Sequence, residues 1–216
     1  MELFIPIKHN SQRVPRKNFR RFGHEPLFKR TLLKFKQHNI FVDTDSQEVA
    51  NLITSDKRLK HVTVFPRAEK LRGDSVSVCE LIKDFILRND FSKPLIQIHV
   101  TSPFLTEKTL KNAESFMGDY DSVVSCNAHN SRFWRKESYG FCPINHNPVK
   151  MEQTQDLPTI YEENSAFYIF KPEVILKYGS RVGQNPYFYP VSSTESIDID
   201  TEDDWAFASV LKDVLK

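Results

Sequence analysis

Short apolar runs alternate with longer amphipathic segments along the chain. The runs are rich in β-branched and aromatic residues, predict strands, and cover residues 3–7, 40–42, 62–65, 95–100, 123–124 and 166–170. Between them, apolar residues recur at helical spacing, as in Leu81, Ile82, Phe85 and Ile86. Strands that alternate with helices predict an α/β domain with a mainly parallel sheet and helices on both faces.

Residues that favour helix starts precede or open the amphipathic segments. They are Pro26, Ser46, Asp74, Thr106, Pro172 and Thr201. Asp74 predicts the N-cap of the helix that carries Leu81. Thr201 with Asp204 predicts a box-like cap for the last helix. Just before it, Ser196–Asp200 predicts the end of a strand.

One stretch, residues 127–161, departs from the alternation. It is rich in Asn, Pro, His and aromatic residues and is too long for a simple connection. Segments of this kind are usually functional or form an interface. We therefore expect a single domain over residues 1–216, with 127–161 inserted as an acceptor-binding and dimerisation segment.

Composition and charge narrow the class of protein. The 216 residues carry a formal net charge of +2, which gives no reason to expect nucleic-acid binding. Three unevenly spaced cysteines argue against a disulfide framework and a zinc site. No apolar run approaches the roughly 20 residues that span a bilayer, and the chain opens directly into a predicted strand. These features favour a cytoplasmic protein without membrane association.

A basic loop follows the first predicted strand. Lys8, Arg13, Arg16 and Lys17 lie in it, and the first acidic residue after the strand is Glu25. Converging Lys and Arg donors suit a polyphosphate, although a solvated basic turn has the same composition. Ligands in parallel sheets bind at the carboxyl ends of the strands. Because several polar motifs fall at predicted strand ends, we expect one nucleotide site there.

Asp198 and Asp200 lie two residues apart near the C-terminus. Side chains at that spacing on a strand share a face, so both carboxylates could hold one Mg²⁺ ion. The alternative is an acidic turn that caps the last helix. Nothing in the sequence suggests a protein nucleophile.

These motifs together carry a resemblance to a known family. I-P-I-K-H-N-S-Q-R-V-P-R-K-N at 5–18, F-P-R-A-E-K-L-R-G-D at 65–74, H-V-T-S-P at 99–103 and E-S-I-D-I-D-T at 195–201 resemble motifs of the acylneuraminate cytidylyltransferases. The resemblance covers nearly the whole chain. It implies a Rossmann-like nucleotidyltransferase sheet, with Asp198 and Asp200 as the Mg²⁺ ligands and with Lys17 in catalysis.

The resemblance also implies a set of nucleotide contacts. The loop after the first strand would contribute Lys8, Ser11, Arg13, Lys17 and Asn18 to the triphosphate and nucleotide, with Lys8 standing where the family usually has Arg. Arg67 and the helix start that includes Ser77 would contact cytosine. A guanidinium suits the base's O2 and N3 acceptors.

On the acceptor side the resemblance is looser. It implies contacts from His99, Arg135, Gln155, Tyr161 and Asn164. His99 replaces a family glutamine, and a structural histidine is the alternative. Thr154 stands where the family often has a sugar-binding Arg. The segment N-S-A-F-Y, 164–168, corresponds to the family's N-G-A-x-Y.

The expected activity is transfer of CMP from CTP to a 2-keto-3-deoxy sugar acid, sialic acid or a related nonulosonate, by a homodimer that releases pyrophosphate. Three alternatives stay open. They are a cytidylyltransferase for 3-deoxy-manno-octulosonate or a phosphonate, a glycosyltransferase that uses the D-x-D pair, and a non-catalytic nucleotide-binding protein.

Overall fold

The computed structural model describes residues 2–11 and 13–215 of the chain. In chain order the strands are β1 (Glu2–Ile7), β2 (Arg21–Phe22), β3 (Glu25–Pro26), β4 (Asn39–Thr44), β5 (Val62–Pro66), β6 (Leu95–Ile98), β7 (Ser122–His129), β8 (Trp134–Glu137), β9 (Gly140–Pro143), β10 (Ile160–Phe170) and β11 (Pro186–Pro190). The α-helices are α1 (Leu27–Lys34), α2 (Gln47–Thr54), α3 (Val78–Asn89), α4 (Glu107–Glu114), α5 (Pro172–Tyr178) and α6 (Glu202–Val214).

A central sheet holds seven strands in the order β11-β7-β10-β6-β1-β4-β5. The neighbouring strands from β6 to β5 pair in parallel, and so do β7 and β11. Strand β10 alone runs antiparallel to both its neighbours, β6 and β7. The predicted mainly parallel sheet is therefore confirmed, with one reversed strand at its centre.

Alternation along β1 divides the core between the two faces of the sheet. Leu3 and Ile5 pack in one cluster with residues of α1, α2 and α4, whereas Phe4 packs in another with residues of α3 and α5. Successive strand side chains point to opposite faces, which explains this division. Helices on both faces were predicted, and the two clusters confirm them.

Most predicted helix starts are confirmed by their caps. The Ser46, Thr106 and Thr201 side chains each accept a backbone N–H of the following turn, and Asp204 returns the bond to Thr201. Pro172 opens α5 at its first turn.

The predicted Asp74 cap is wrong. Helix α3 begins three residues later, capped by Ser77, whose hydroxyl accepts from the Glu80 N–H while the Glu80 carboxylate accepts from the Ser77 N–H. A reciprocal box satisfies two backbone donors at once, so it fixes the start more firmly than a single aspartate would. Asp74 instead pairs with Lys8, at 3.2 Å between Oδ1 and Nζ.

The predicted strand end at Ser196–Asp200 is also wrong. The segment has no ladder partner among the described residues and follows a turn at 193–196. A backbone bond from the Ile199 N–H to the Thr101 carbonyl, at 2.9 Å, joins it to the turn that follows β6. The edge strand β11, which begins at Pro186 and ends at Pro190, was not predicted.

The inserted segment 127–161 has its own structure between β7 and β10. It carries the hairpin of β8 and β9 and a short 3-10 turn at Thr154–Asp156. Asn145 anchors it, because its side chain donates to the Ser131 and Pro158 carbonyls at 2.8 and 3.1 Å. The hairpin exposes large apolar side chains, including Phe141, which is 68% exposed.

Within the described residues, no helix combines the length and apolar character that a membrane crossing requires.

Candidate active site

A cavity of about 420 Å³ opens at the carboxyl ends of β1, β5 and β6. Many of the predicted site residues line it, namely Lys8, Ser11, Arg13, Lys17, Asn18, Arg67, His99, Asp198 and Asp200. Lys8, Arg67 and His99 directly follow the last residues of β1, β5 and β6. The parallel sheet therefore gathers residues that lie far apart in the chain.

The basic loop meets the acidic segment at Asp200. The Lys17 Nζ lies 3.2 Å from Oδ1 of Asp200, and an Arg13 guanidinium nitrogen lies 2.9 Å from Oδ2. Lys17 is buried and also donates to the Ile199 carbonyl. Arg13 lines the cavity, and its guanidinium carries more N–H donors than the contact with Asp200 uses. Those donors could bind phosphate oxygens.

Asn18 fixes the shape of the same loop. Its amide donates to the Lys8 carbonyl at 2.8 Å, and Asn18 is buried. The loop is therefore closed on itself across ten residues, which holds Lys8 at the mouth of the cavity opposite Asp74.

Asp198 is the more buried member of the acidic pair. The Thr101 hydroxyl donates to its carboxylate, while its Oδ1 is buried without a hydrogen-bond partner among the described residues. Burial, and then the charge of Asp200, raise the pKa of Asp198. An unpaired buried carboxylate oxygen is costly unless a cation or a proton meets it.

This pair fits a hard divalent cation such as Mg²⁺. No cluster of three or more His, Cys, Asp or Glu residues suited to a metal occurs in residues 2–11 and 13–215. Mg²⁺ is commonly held by one or two carboxylates, with substrate phosphates and water in its other positions. The two aspartates meet that requirement, and they share the cavity with the basic loop.

Arg67 is fully enclosed, with 2% of its surface exposed. Its Nε donates to Asp43 Oδ1 at 2.6 Å, and Nη1 lies 3.6 Å from Asp45 Oδ2. Burial raises the pKa of Asp43, against the opposing effect of Arg67. The Arg67 Nη1 atom has no hydrogen-bond partner among the described residues, which leaves a donor for a base acceptor.

His99 is part-buried at the wall of the cavity. Burial, and then the nearby charge of Arg181, lower its pKa to about 4. The imidazole is therefore neutral at neutral pH and offers a hydrogen bond rather than a charge.

Sequence reasoning missed the polar network behind His99. Arg181 donates to the Gln97 side chain, and its guanidinium carbon lies 3.7 Å from the Tyr168 ring centroid. The Tyr168 hydroxyl bonds Ser165 at 2.9 Å and Glu163. No local sequence signal marks Arg181, because its partners come from two other strands.

Ser165 lines the cavity with a left-handed backbone, at φ 59°. It lies in the irregular stretch of β10 between Glu163 and Tyr168. Glycine adopts this conformation without strain, and the N-G-A-x-Y motif has glycine here. A serine at this position adds a hydroxyl to the cavity wall.

The other predicted residues do not line this cavity. Ser77 is engaged in its capping box, and Asn164 bonds Asn127 at 3.0 Å. Arg135 is paired with Glu137 on the hairpin, Gln155 bonds Gln153, and Tyr161 is exposed on β10. Of the acceptor-side predictions, His99 alone among the described residues lines the cavity with the nucleotide-side ones, whereas Arg135, Gln155, Tyr161 and Asn164 lie apart from it.

The chain matches the model of a family described as cytidylyltransferase over residues 3–191. It is 30% identical to N-acylneuraminate cytidylyltransferase A of Danio rerio, over 94% of the chain and 49% of that protein. It is 29% identical to the CMP-N,N'-diacetyllegionaminic acid synthase of Legionella pneumophila, over 97% and 95% of the two lengths. The chain spans about half the length of the first curated relatives it matches.

Among solved structures, the chain is similar to a CMP:2-keto-3-deoxy-manno-octonic acid synthetase complexed with CTP. The TM-score is 0.72 at 14% identity, with 99% of this chain and 98% of the other covered. At that identity the likeness bears on the fold, and it agrees with the Rossmann-like sheet predicted from the sequence.

Proposed function

Since the chain belongs to the cytidylyltransferase family, we propose that it transfers CMP from CTP to a 2-keto-3-deoxy sugar acid and releases pyrophosphate. The observation that carries the proposal is the meeting of Lys17 and Arg13 with Asp200 in one cavity, beside the unpaired oxygen of Asp198. Cations for a triphosphate and ligands for its metal ion lie side by side there.

In the proposed reaction, the anomeric hydroxyl of the acid attacks the α-phosphorus of CTP. A new phosphorus–oxygen bond forms, the bond to the β-phosphate oxygen breaks, and the hydroxyl proton is lost to solvent or to a nearby base. Such a step depends on alignment and on charge stabilisation rather than on a protein nucleophile. Lys8, Arg13 and Lys17 bind and orient the triphosphate.

Asp198 and Asp200 would hold Mg²⁺, which supplies positive charge against the phosphate oxygens. In this arrangement Lys17 and Arg13 exchange part of their bonding to Asp200 for phosphate. Arg67 positions the base through its Nη1 atom, which faces Asp45 at 3.6 Å but makes no hydrogen bond to the described residues, while Asp43 holds the guanidinium in place.

For the acceptor, we favour a nonulosonate because the named activities of the sequence relatives concern N-acylneuraminate and N,N'-diacetyllegionaminate. His99 and Ser165 line the cavity and contact this substrate in the proposal. An octulosonate or a phosphonate is the competing acceptor, since His99 and Thr154 depart from the family motif.

We further propose a homodimer in the cytoplasm. The exposed apolar side chains of the 127–161 segment, such as Phe141, support a subunit interface there. A partner's segment would complete the acceptor side, where Arg135, Gln155, Tyr161 and Asn164 are predicted contacts.

The free thiols of Cys79, Cys126 and Cys142 support a reducing compartment.

The test is pyrophosphate release from CTP and Mg²⁺ with a panel of acids that includes N-acetylneuraminate, a legionaminate and 3-deoxy-manno-octulosonate. We expect release that depends on one nonulosonate, with the CMP-sugar identified by mass. Release with the octulosonate alone would reassign the acceptor. CTP binding without turnover on any acid would favour the non-catalytic alternative, and consumption of a nucleotide sugar would favour the glycosyltransferase.

A further inference from the structure

A second and larger cavity, of about 1010 Å³, lies on the other side of the Thr101–Pro103 turn. Helix α1, the start of α4 and the end of α6 enclose it, together with the segment 192–195. None of the described residues lines both cavities. It is therefore separate from the proposed active site, and no step of the proposed reaction uses it.

Two like charges lie one helical turn apart in its wall. Arg30 and Lys34 are four residues apart on α1, and residues at that spacing are neighbours on a helix surface. The Lys34 ammonium donates to the Pro103 and Leu105 carbonyls, at 2.9 Å to Leu105. Burial, and then the charge of Arg30, lower the pKa of Lys34 to about 7. Arg30 and Lys34 therefore repel each other when Lys34 is protonated.

Lys212, a third cation in the cavity wall, lies near Arg30. The Arg30 guanidinium carbon and the Lys212 Nζ lie 5.5 and 5.4 Å from the centroid of one ring, that of Phe22. Gly23 lies in the same corner, since the direction of its absent Cβ points within 3.7 Å of Arg30 Nη1 and 3.6 Å of Lys212 Cδ. The two side chains reach the cavity from α1 and α6.

The Arg30 guanidinium has no carboxylate partner among the described residues. Its Nε is buried and makes no hydrogen bond in the part of the chain that the structure describes. Arg30 is part-buried in the cavity lining, so an oxyanion at its terminal nitrogens would supply the counter-charge that the guanidinium lacks.

The carboxylates in the wall are already engaged. Glu195 accepts the Thr106 N–H at 3.0 Å and the Ser192 hydroxyl at 3.2 Å, and Glu107 pairs with His38 at 2.6 Å. Lys108 adds another exposed cation at the start of α4. Among the described residues, four Lys and Arg side chains line the cavity against two carboxylates, those of Glu107 and Glu195. Lys212 also pairs with Asp213, which does not line the cavity, at 3.3 Å between Nζ and Oδ1.

We propose that this second cavity is a binding site for a phosphate-bearing anion, held by Arg30, Lys108 and Lys212. A guanidinium fork with flanking ammonium groups is the usual protein arrangement for phosphate oxygens. The volume admits either inorganic pyrophosphate or a nucleotide, and the two share the group that Arg30 would contact.

The test is calorimetry with pyrophosphate, and in parallel with CMP, on protein whose active-site loop carries Lys17→Gln. Because Lys8, Arg13 and Arg67 remain in the active site, we expect a weakened active-site event and a second event in this background, and Arg30→Gln added to it should weaken the second event about tenfold. The matched control is Lys111→Gln, an exposed cation on α4 outside the cavity, which should change the affinity less than about twofold. A response to CMP but not to pyrophosphate would identify the nucleotide as the ligand class.

Two results would overturn the proposal. One is the absence of any binding by the Lys17→Gln protein up to about 10 mM of either probe, a concentration that corresponds to negligible affinity. The other is equal binding with and without Arg30→Gln. Melting curves establish that each variant is folded. If Arg30→Gln does not fold, the exposed Lys108→Gln takes its place, with an expected loss of about threefold and the same contradicting result.

Discussion

The Lys17 ammonium and the Asp200 carboxylate lie 3.2 Å apart although 183 residues separate them in the chain. This contact joins the loop after the first strand to the segment before the last helix. It places a candidate phosphate-binding cation and a candidate metal ligand within one hydrogen-bond length. The proposed chemistry depends on this closeness, because the triphosphate and its metal ion must be bound together.

Nucleotide choice follows from the Arg67 Nη1 atom, which makes no hydrogen bond to the described residues. Its Nη1–H can donate to N3 of cytosine, whereas N3 of uracil carries a hydrogen and would leave that buried donor unsatisfied. We expect CTP to bind more tightly than UTP by about 1–3 kcal/mol. Calorimetry with both nucleotides, in the presence of Mg²⁺, measures this difference. Equal affinities would contradict the assignment of Arg67 to the base.

The buried Arg67–Asp43 pair should matter for stability as well. Arg67→Ala leaves the Asp43 carboxylate buried without its partner, which should lower the free energy of unfolding by about 3–5 kcal/mol. Replacing both residues, with Arg67→Met and Asp43→Leu, should restore most of that loss because no buried charge remains. Urea denaturation of the two variants tests this, and a double variant less stable than Arg67→Ala would be inconsistent with it.

Lys34 should make stability depend on pH. Its pKa falls from 10.5 in the unfolded chain to about 7 in the folded protein. Between these values the unfolded chain binds a proton that the folded protein has released, so this group makes the free energy of unfolding rise with pH. Below that window both states are protonated, and the folded protein bears the full cost of burying the Lys34 charge.

The variant Lys34→Met removes this titration while it keeps an apolar chain of similar length. We expect wild type to gain stability relative to the variant between about pH 7 and pH 9. Chemical denaturation at both pH values gives the comparison. A difference between the two proteins that does not change with pH would show that Lys34 stays charged on folding.

The proposed dimer makes a prediction about the hairpin of β8 and β9. Phe141→Ser should shift the protein from dimer to monomer at micromolar concentration, because it removes a large apolar side chain from the interface. Leu87→Ser is the matched control, since Leu87 is similarly exposed, at 63%, on α3. Light scattering reports the mass of each. A wild-type protein that is already monomeric would exclude this interface.

Local patterns in the sequence were sufficient for much of the fold. The alternation of Leu3 and Ile5 with Phe4 predicts a strand with helices on both sides, and the caps at Ser46 and Thr201 are read within one helical turn. These features depend on neighbours in the chain, so they are visible without the fold.

The features that the sequence could not supply depend on distant residues. Aspartate is a residue type that often caps helices, but Asp74 forms an ion pair with Lys8, 66 positions away. The aspartate pair follows a turn rather than a strand because no strand among residues 2–11 and 13–215 pairs with it. The Arg181–Gln97 contact joins positions 84 residues apart.

The acidic pair gives the most direct test of the central claim, that one cavity joins the nucleotide to its metal ion and transfers CMP. The measurement is steady-state pyrophosphate release at saturating CTP and acceptor acid, as a function of Mg²⁺, for wild type, Asp198→Asn and Asp200→Asn. Asp203→Asn is the control, because it removes an exposed charge from the first turn of α6 outside the cavity. The account predicts that each active-site variant loses about 10²–10³ in turnover, needs more Mg²⁺, and keeps a melting temperature near wild type because Thr201 still caps α6. Near-normal turnover for both variants, with an unchanged Mg²⁺ requirement, would contradict it.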